Sequence, residues 1–195
     1  MKHVLLLGDS IRQNYQQYVR IGLNDCADVR FPNDNCRFSA YTLRYIYEWI
    51  NALSRDNVTF DIIHFNVGLW DVLRLSGELN TFTSKEEYKK NLERIYFRIK
   101  RFSCDSKIIF ALSTKVIEPG FALGVEIGQR KNEDIIEFNN IARNTFEKTD
   151  VIINDLWTVS EKLDNYAHSD SVHYDTERGR KALGDKVIEV IKENL

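Results

Sequence analysis

Val4-Leu5-Leu6-Leu7-Gly8-Asp9-Ser10-Ile11-Arg12 decides how this chain is read. Four consecutive large apolar residues, Val4 to Leu7, fit a short strand buried on both faces, as in a parallel sheet. Gly8 ends the run. Asp9 and Ser10 are both good helix caps, and either can open the helix expected over Ile11 to Leu23. A buried strand that turns at once into a helix begins an alternating α/β sheet. Ser10 then lies at the carboxyl end of the first strand, where such sheets place their chemistry.

The rest of the chain continues the alternation. Asp28 to Phe31 reads as a second strand, followed by a polar loop from Pro32 to Arg37. Ser39 is placed to cap a helix whose apolar face carries Leu43, Ile46, Ile50 and Leu53. Asp61 to Val67 is the third strand, and Gly68-Leu69-Trp70-Asp71 follows it. After a small and polar loop from Ser76 to Thr83, Ser84-Lys85-Glu86-Glu87 has the form of a capping box. Its helix runs to about Phe102. Lys107 to Leu112 is a fourth strand, and Gly120 to Gly128 has the composition of a mobile loop at the mouth of a site. Asn132 to Lys148 reads as helix, Val151 to Ile153 as the fifth strand, and Thr176 to Lys192 as the last helix. The expected fold is one domain over residues 1–195, a three-layer α/β/α sandwich around a five-stranded parallel sheet of flavodoxin-like type.

Composition narrows the function classes. The 195 residues are 43% hydrophobic, enough for a full core, with a formal net charge of -2. That balance offers no basic footprint for nucleic acid. No apolar run reaches membrane-spanning length, so no membrane partner is expected. Met1-Lys2-His3 leads into only five apolar or small residues before Asp9, unlike a secretory leader. Cys26, Cys36 and Cys104 are odd in number and lack zinc spacing. A reduced, cytoplasmic setting is the expectation.

Near the other end stands Asp170-Ser171-Val172-His173, just before the last helix. With Ser10 it completes a serine, a histidine and a carboxylate. A serine hydroxyl needs a base within hydrogen-bond reach, and histidine can take and return a proton near neutral pH. A carboxylate beside the imidazole fixes its tautomer and stabilises the imidazolium.

Gly8-Asp9-Ser10, then Asp61 to Asp71 as a strand ending in Gly-x-x-Asp, then Asp170-x-x-His173 before a terminal helix resemble the SGNH (GDSL-type) hydrolase superfamily. Asn139-x-x-Ala142 and Ile153-Asn154-Asp155-Leu156 share its look, and the resemblance runs from Val4 to Ile191. It implies Ser10 as nucleophile, His173 as base and Asp170 as the residue that orients it. It also implies an oxyanion hole made from the nucleophile's N–H, a glycine N–H in the second block and an asparagine side chain in the third. The chain departs from that pattern twice. Cys36, or alternatively Asn35, stands at the glycine position, and Trp70 stands at the asparagine position. One missing donor typically costs about 3 kcal/mol in the transition state. Replacement donors are sought in the Asn35 side chain, which is preferred, the Asn66 side chain and the Trp70 indole. Gly68 and the arginines Arg12 and Arg37 are the residues expected to contact substrate, although Gly68 also suits a backbone turn.

The expected activity is a serine esterase acting on a small acyl ester, acetyl above all, carried by a carbohydrate or other small molecule. The alternatives are acyl transfer by the same triad and a non-catalytic module that binds carbohydrate esters. His168, Asp170, His173 and Asp175 could be read as a metal cluster. No other segment supplies partners and Ser10 would go unexplained, so no metal or organic cofactor is expected. Asp170→Asn is expected to be milder than loss of Ser10 or His173, with carbonyls or water holding the ring.

Overall fold

The computed structural model describes residues 1–55, 58–121 and 128–195. In chain order the elements are β1 (Lys2–Leu7), α1 (Ser10–Gly22), β2 (Ala27–Arg30), α2 (Ser39–Leu53), β3 (Ile62–Phe65), β4 (Arg74–Leu75) and α3 (Lys85–Phe102). They continue with β5 (Lys107–Ala111), β6 (Gly128–Gln129), α4 (Asn132–Phe146), β7 (Ile152–Asn154), α5 (Leu156–Glu161) and α6 (Glu177–Lys192). The main sheet has the order β2-β1-β3-β5-β7 and every pairing in it is parallel. This is the five-stranded sheet of an α/β/α sandwich. β1 lies between β2 and β3, so the chain reverses its direction of winding there. Ligands of open α/β sheets bind at such a switch point, outside the carboxyl ends of the strands. Ser10 follows β1 directly.

Why these segments pair is visible in their burial. Val4 to Leu7 are wholly inaccessible, as are Ile62, Ile63 and Phe65 of β3 and Ile108 to Ala111 of β5. Strands apolar on both faces need helices on both faces. α1 packs on α6 at one face, and α2, α3 and α4 pack successively at the other. Local signals start the helices. The Asp9 side chain accepts from Ile11 N–H to cap α1. Ser84 and Glu87 form the reciprocal capping box of α3, and Thr176 caps α6.

Two local expectations change. Ser39 is the first residue of α2 rather than its cap, and the capping position falls to Phe38. The Ser39 N–H and hydroxyl instead bond the Asp71 carboxylate. α5 and the antiparallel pair β4–β6 are additional elements, too short to carry a periodic pattern. Of the loop expected from Gly120 to Gly128, residues 122–127 lie outside the described residues. Among the described residues no helix is long and apolar enough to cross a membrane.

Candidate active site

Ser10, His173 and Asp170 meet at the carboxyl edge of the sheet. Ser10 Oγ is 2.8 Å from His173 Nε2, and His173 Nδ1 is 2.7 Å from Asp170 Oδ2. The other carboxylate oxygen, Oδ1, accepts the backbone N–H groups of Val172 and His173, each at 2.7 Å. An Asx-type turn thus folds Asp170 back onto its own loop and aims Oδ2 at the imidazole. The Asp170 side chain is 7% exposed, against 24% for His173. The carboxylate therefore sits inside while the ring stays open to a ligand. Ser10 is half-buried at the N-terminus of the thirteen-residue α1, and its N–H has no protein acceptor among the described residues.

Beneath Ser10 the backbone is tightly held. A Cβ on Gly8, whose φ is +155°, would overlap the Asn66 side chain. Asn66 Nδ2 donates to Asp9 Oδ1 at 2.9 Å. Asp9 is buried, and burial pushes its carboxyl above the usual carboxylate range, opposed by the Asn66 and Ile11 hydrogen bonds and by the charge of Arg130. Asn66 therefore braces the turn that leads into Ser10, with its amide N–H directed to Asp9.

The other expected donors and contacts are placed as follows. The Cys36 N–H donates to the Gly8 carbonyl at 3.0 Å, so it is spent within the protein. The Cys36 side chain is buried, and burial pushes the thiol up to about 11, which leaves it unreactive. Asn35 Oδ1 accepts from Arg37 N–H at 2.9 Å, and its Nδ2 donates to Gln13. Its amide shapes the loop, and Arg37 takes a left-handed conformation at φ +50° to close it. The expectation for Arg12 is corrected. Arg12 is fully buried and its guanidinium donates to the carbonyls of Gly8, Pro32 and Asp34, which clamps the nucleophile turn to the 32–36 loop. It has nothing left for a substrate. Gly68, at φ +146°, is buried where a Cβ would overlap Ser113 Oγ, so it serves the turn. Arg37 is exposed at the rim, its guanidinium 4.8 Å from the Tyr41 ring centroid.

Trp70 is partly exposed in the loop after β3. That loop is fixed from behind. Asp71 accepts three bonds from Ser39, and Asn91 in turn donates to Ser39 Oγ. Burial pushes the Asp71 carboxyl up to about 7. A cleft of about 830 Å³ opens beside Asp170, lined also by Ser171, Arg74, Glu78 and Gln129. His168 also lines it and packs on the Tyr174 ring, 3.9 Å between centroids.

One residue at the site carried no sequence signal. Arg130, 5% exposed, directs Nε to the Leu69 carbonyl at 2.6 Å and Nη1 to the Gly120 carbonyl at 3.3 Å. It lies in a segment without recognisable pattern, and only the fold brings it to the loop after β3.

No protein-family model and no curated protein matches the sequence. Solved structures do match over nearly the whole chain. An acetyl xylan esterase, AlAXEase, superposes with a TM-score of 0.75 at 17% identity, covering 97% of this chain and 99% of that one. A carbohydrate acetylesterase family member from Sinorhizobium meliloti gives 0.73 at 17%, covering 100% and 99%. A member of the lipolytic protein G-D-S-L family from Veillonella parvula gives 0.65 at 18%, covering 98% and 99%. The chain has the SGNH (GDSL-type) hydrolase fold.

Proposed function

We propose that the protein is an SGNH-type serine esterase that removes a small acyl group, acetyl above all, from a polar alcohol such as a carbohydrate. The continuous relay from Ser10 Oγ through the His173 ring to Asp170 carries this reading. In it, His173 Nε2 takes the Ser10 proton as Oγ attacks the ester carbonyl. The Ser10 N–H, unpaired at the start of α1, points at the oxyanion that develops. Collapse expels the alcohol, which takes the proton back from His173 and leaves an acyl-serine. Water, deprotonated by the same imidazole, then releases the acid. Asp170 keeps the proton of the neutral ring on Nδ1 throughout, so Nε2 is always the working atom.

The neighbouring cleft carries Arg74, Glu78, Gln129 and Asn165, side chains able to hydrogen-bond a hydroxylated leaving group. Structural neighbours described as acetyl xylan and carbohydrate acetylesterases support the acetyl and carbohydrate preference. Labelling with a fluorophosphonate tests the reading. One adduct on Ser10, absent from Ser10→Ala, is expected, together with release of acetate from acetylated sugars by the wild type alone. A folded wild type that takes no label would overturn it. Acetyl appearing on an added acceptor alcohol in place of acetate would turn it into acyl transfer.

A further inference from the structure

The loop after β3 lacks the asparagine that the resemblance expects, and Trp70 stands in its place. Arg130 occupies the space behind that position. Its Nε is hydrogen-bonded to the carbonyl of Leu69, the residue just before Trp70, and its Cζ lies 6.0 Å from the Trp70 ring centroid. The guanidinium is almost wholly buried, yet its two bonds go to backbone carbonyls. Among the described residues no carboxylate lies within ion-pair distance of it. A buried cation without a paired anion is costly, and a folded chain normally avoids it. The two carboxylates whose charge it feels are Asp9, next to the nucleophile, and Asp170 of the triad. The charge thus acts on the residue next to Ser10 and on Asp170, while its contacts hold it at the loop after β3.

We propose that Arg130 is a catalytic residue that stabilises the tetrahedral oxyanion with its Nη groups, in the role of the asparagine whose place Trp70 takes. The inference rests on the esterase reading. It explains why an unpaired cation is tolerated, since the anion that completes it exists only in the transition state and in the intermediates that resemble it. An interaction made only there raises kcat without tightening substrate binding. It also explains the fate of the other expected donors. The Cys36 N–H and the Asn35 and Asn66 side-chain amides are all engaged within the protein. A guanidinium brings a full charge and several N–H donors in a fixed plane, so one side chain can serve where an amide is missing.

The wild-type protein carrying a phosphonate adduct on Ser10, solved crystallographically, gives the direct test. An Arg130 Nη is expected at about 3 Å from the phosphonyl oxygen that stands for the oxyanion. An adduct whose phosphonyl oxygen is remote from Arg130 would overturn the inference while leaving the esterase reading intact. Failure to form the adduct at all would overturn the esterase reading itself. Kinetics supplies the second arm. Arg130→Gln is expected to lower kcat for a neutral aryl acetate by about 10²–10³-fold, with KM within about threefold. The affinity for a boronic acid that binds Ser10 as a tetrahedral anion should fall in parallel. Adding Trp70→Asn to Arg130→Gln should recover at least about tenfold in kcat. A folded Arg130→Gln with unchanged kcat, or with a raised KM alone, would refute the assignment. Should Arg130→Gln fail to fold, the adduct structure decides.

Discussion

Asp170→Asn offers the sharpest test of how the triad is held. Asp170 Oδ1 accepts two backbone N–H groups at 2.7 Å, and Oδ2 accepts His173 Nδ1–H at the same distance. An asparagine has one oxygen and one NH2 to share between these positions. The oxygen that serves two backbone donors cannot also serve the ring. Two buried backbone N–H groups left facing an NH2 would cost roughly 2–4 kcal/mol, so the oxygen stays with them. The NH2 then faces Nδ1 and donates to it. That forces the neutral imidazole to carry its proton on Nε2, where it can no longer accept from Ser10. A triad locked in the wrong tautomer loses about 10⁴-fold in kcat, or about 5 kcal/mol. Asp170→Ala leaves the ring free to choose its tautomer, so it is expected to lose less, about 10²–10³-fold, while lowering stability more. This geometry reverses the expectation, drawn from sequence, that the asparagine variant would be mild. The assay is kcat on an aryl acetate near pH 7.5, with a thermal melt of each variant. Asparagine equal to or faster than alanine, with both folded, would refute the argument.

Other consequences follow from the buried polar groups. Asp71 holds its proton up to about pH 7 in the folded protein, while an unfolded chain releases it near 3.8. Between these values the folded state binds the extra proton, so stability falls as pH rises, by about 4 kcal/mol across the window. Asp71→Asn should flatten this slope in urea unfolding between pH 5 and 8, and equal slopes in variant and wild type would sink the idea. Arg12→Met should lower stability by about 2–4 kcal/mol, because buried carbonyls of Pro32 and Asp34 lose their donor. Its effect on KM should be the same for neutral and anionic esters. A selective loss on anionic esters would return Arg12 to the substrate site.

The sheet and the meeting of Ser10, His173 and Asp170 were legible in sequence because their signals are written locally. Val4 to Leu7 declare a doubly covered strand by composition alone. Ser84 to Glu87 cap a helix within four residues. Asp170 and His173 stand one turn apart and are joined by bonds within their own loop. What could not be read depends on partners far along the chain. Ser39 looks like a cap until Asp71, 32 positions away, claims its N–H and hydroxyl. Cys36 looks like an oxyanion donor until the fold sets its N–H against the carbonyl of Gly8. β4 and β6 are two residues each, too short for any alternation to show. Arg130 carries no local signal, since its role comes from a carbonyl 61 positions away at Leu69.

These misreadings share a physical cause. A preorganised site needs few groups that touch substrate and many that hold those few still. Polar residues near a nucleophile in sequence are therefore more often used up in the frame than left open. Arg12, Asn35, Cys36 and Asn66 were all expected at the ligand, and each has the donor it would have offered engaged by the turns after β1 and β2. The sign of an open role is a strong donor that is buried and lacks its natural partner. Ser10 N–H meets that condition because helix geometry leaves it without an acceptor. Arg130 meets it because a guanidinium shielded from water would ordinarily be paired with a carboxylate in contact. Ser10 follows β1, whereas Arg130 follows β6 and is bonded to the loop after β3. An oxyanion formed between them would meet a helix N-terminus on one side and a fixed positive charge on the other.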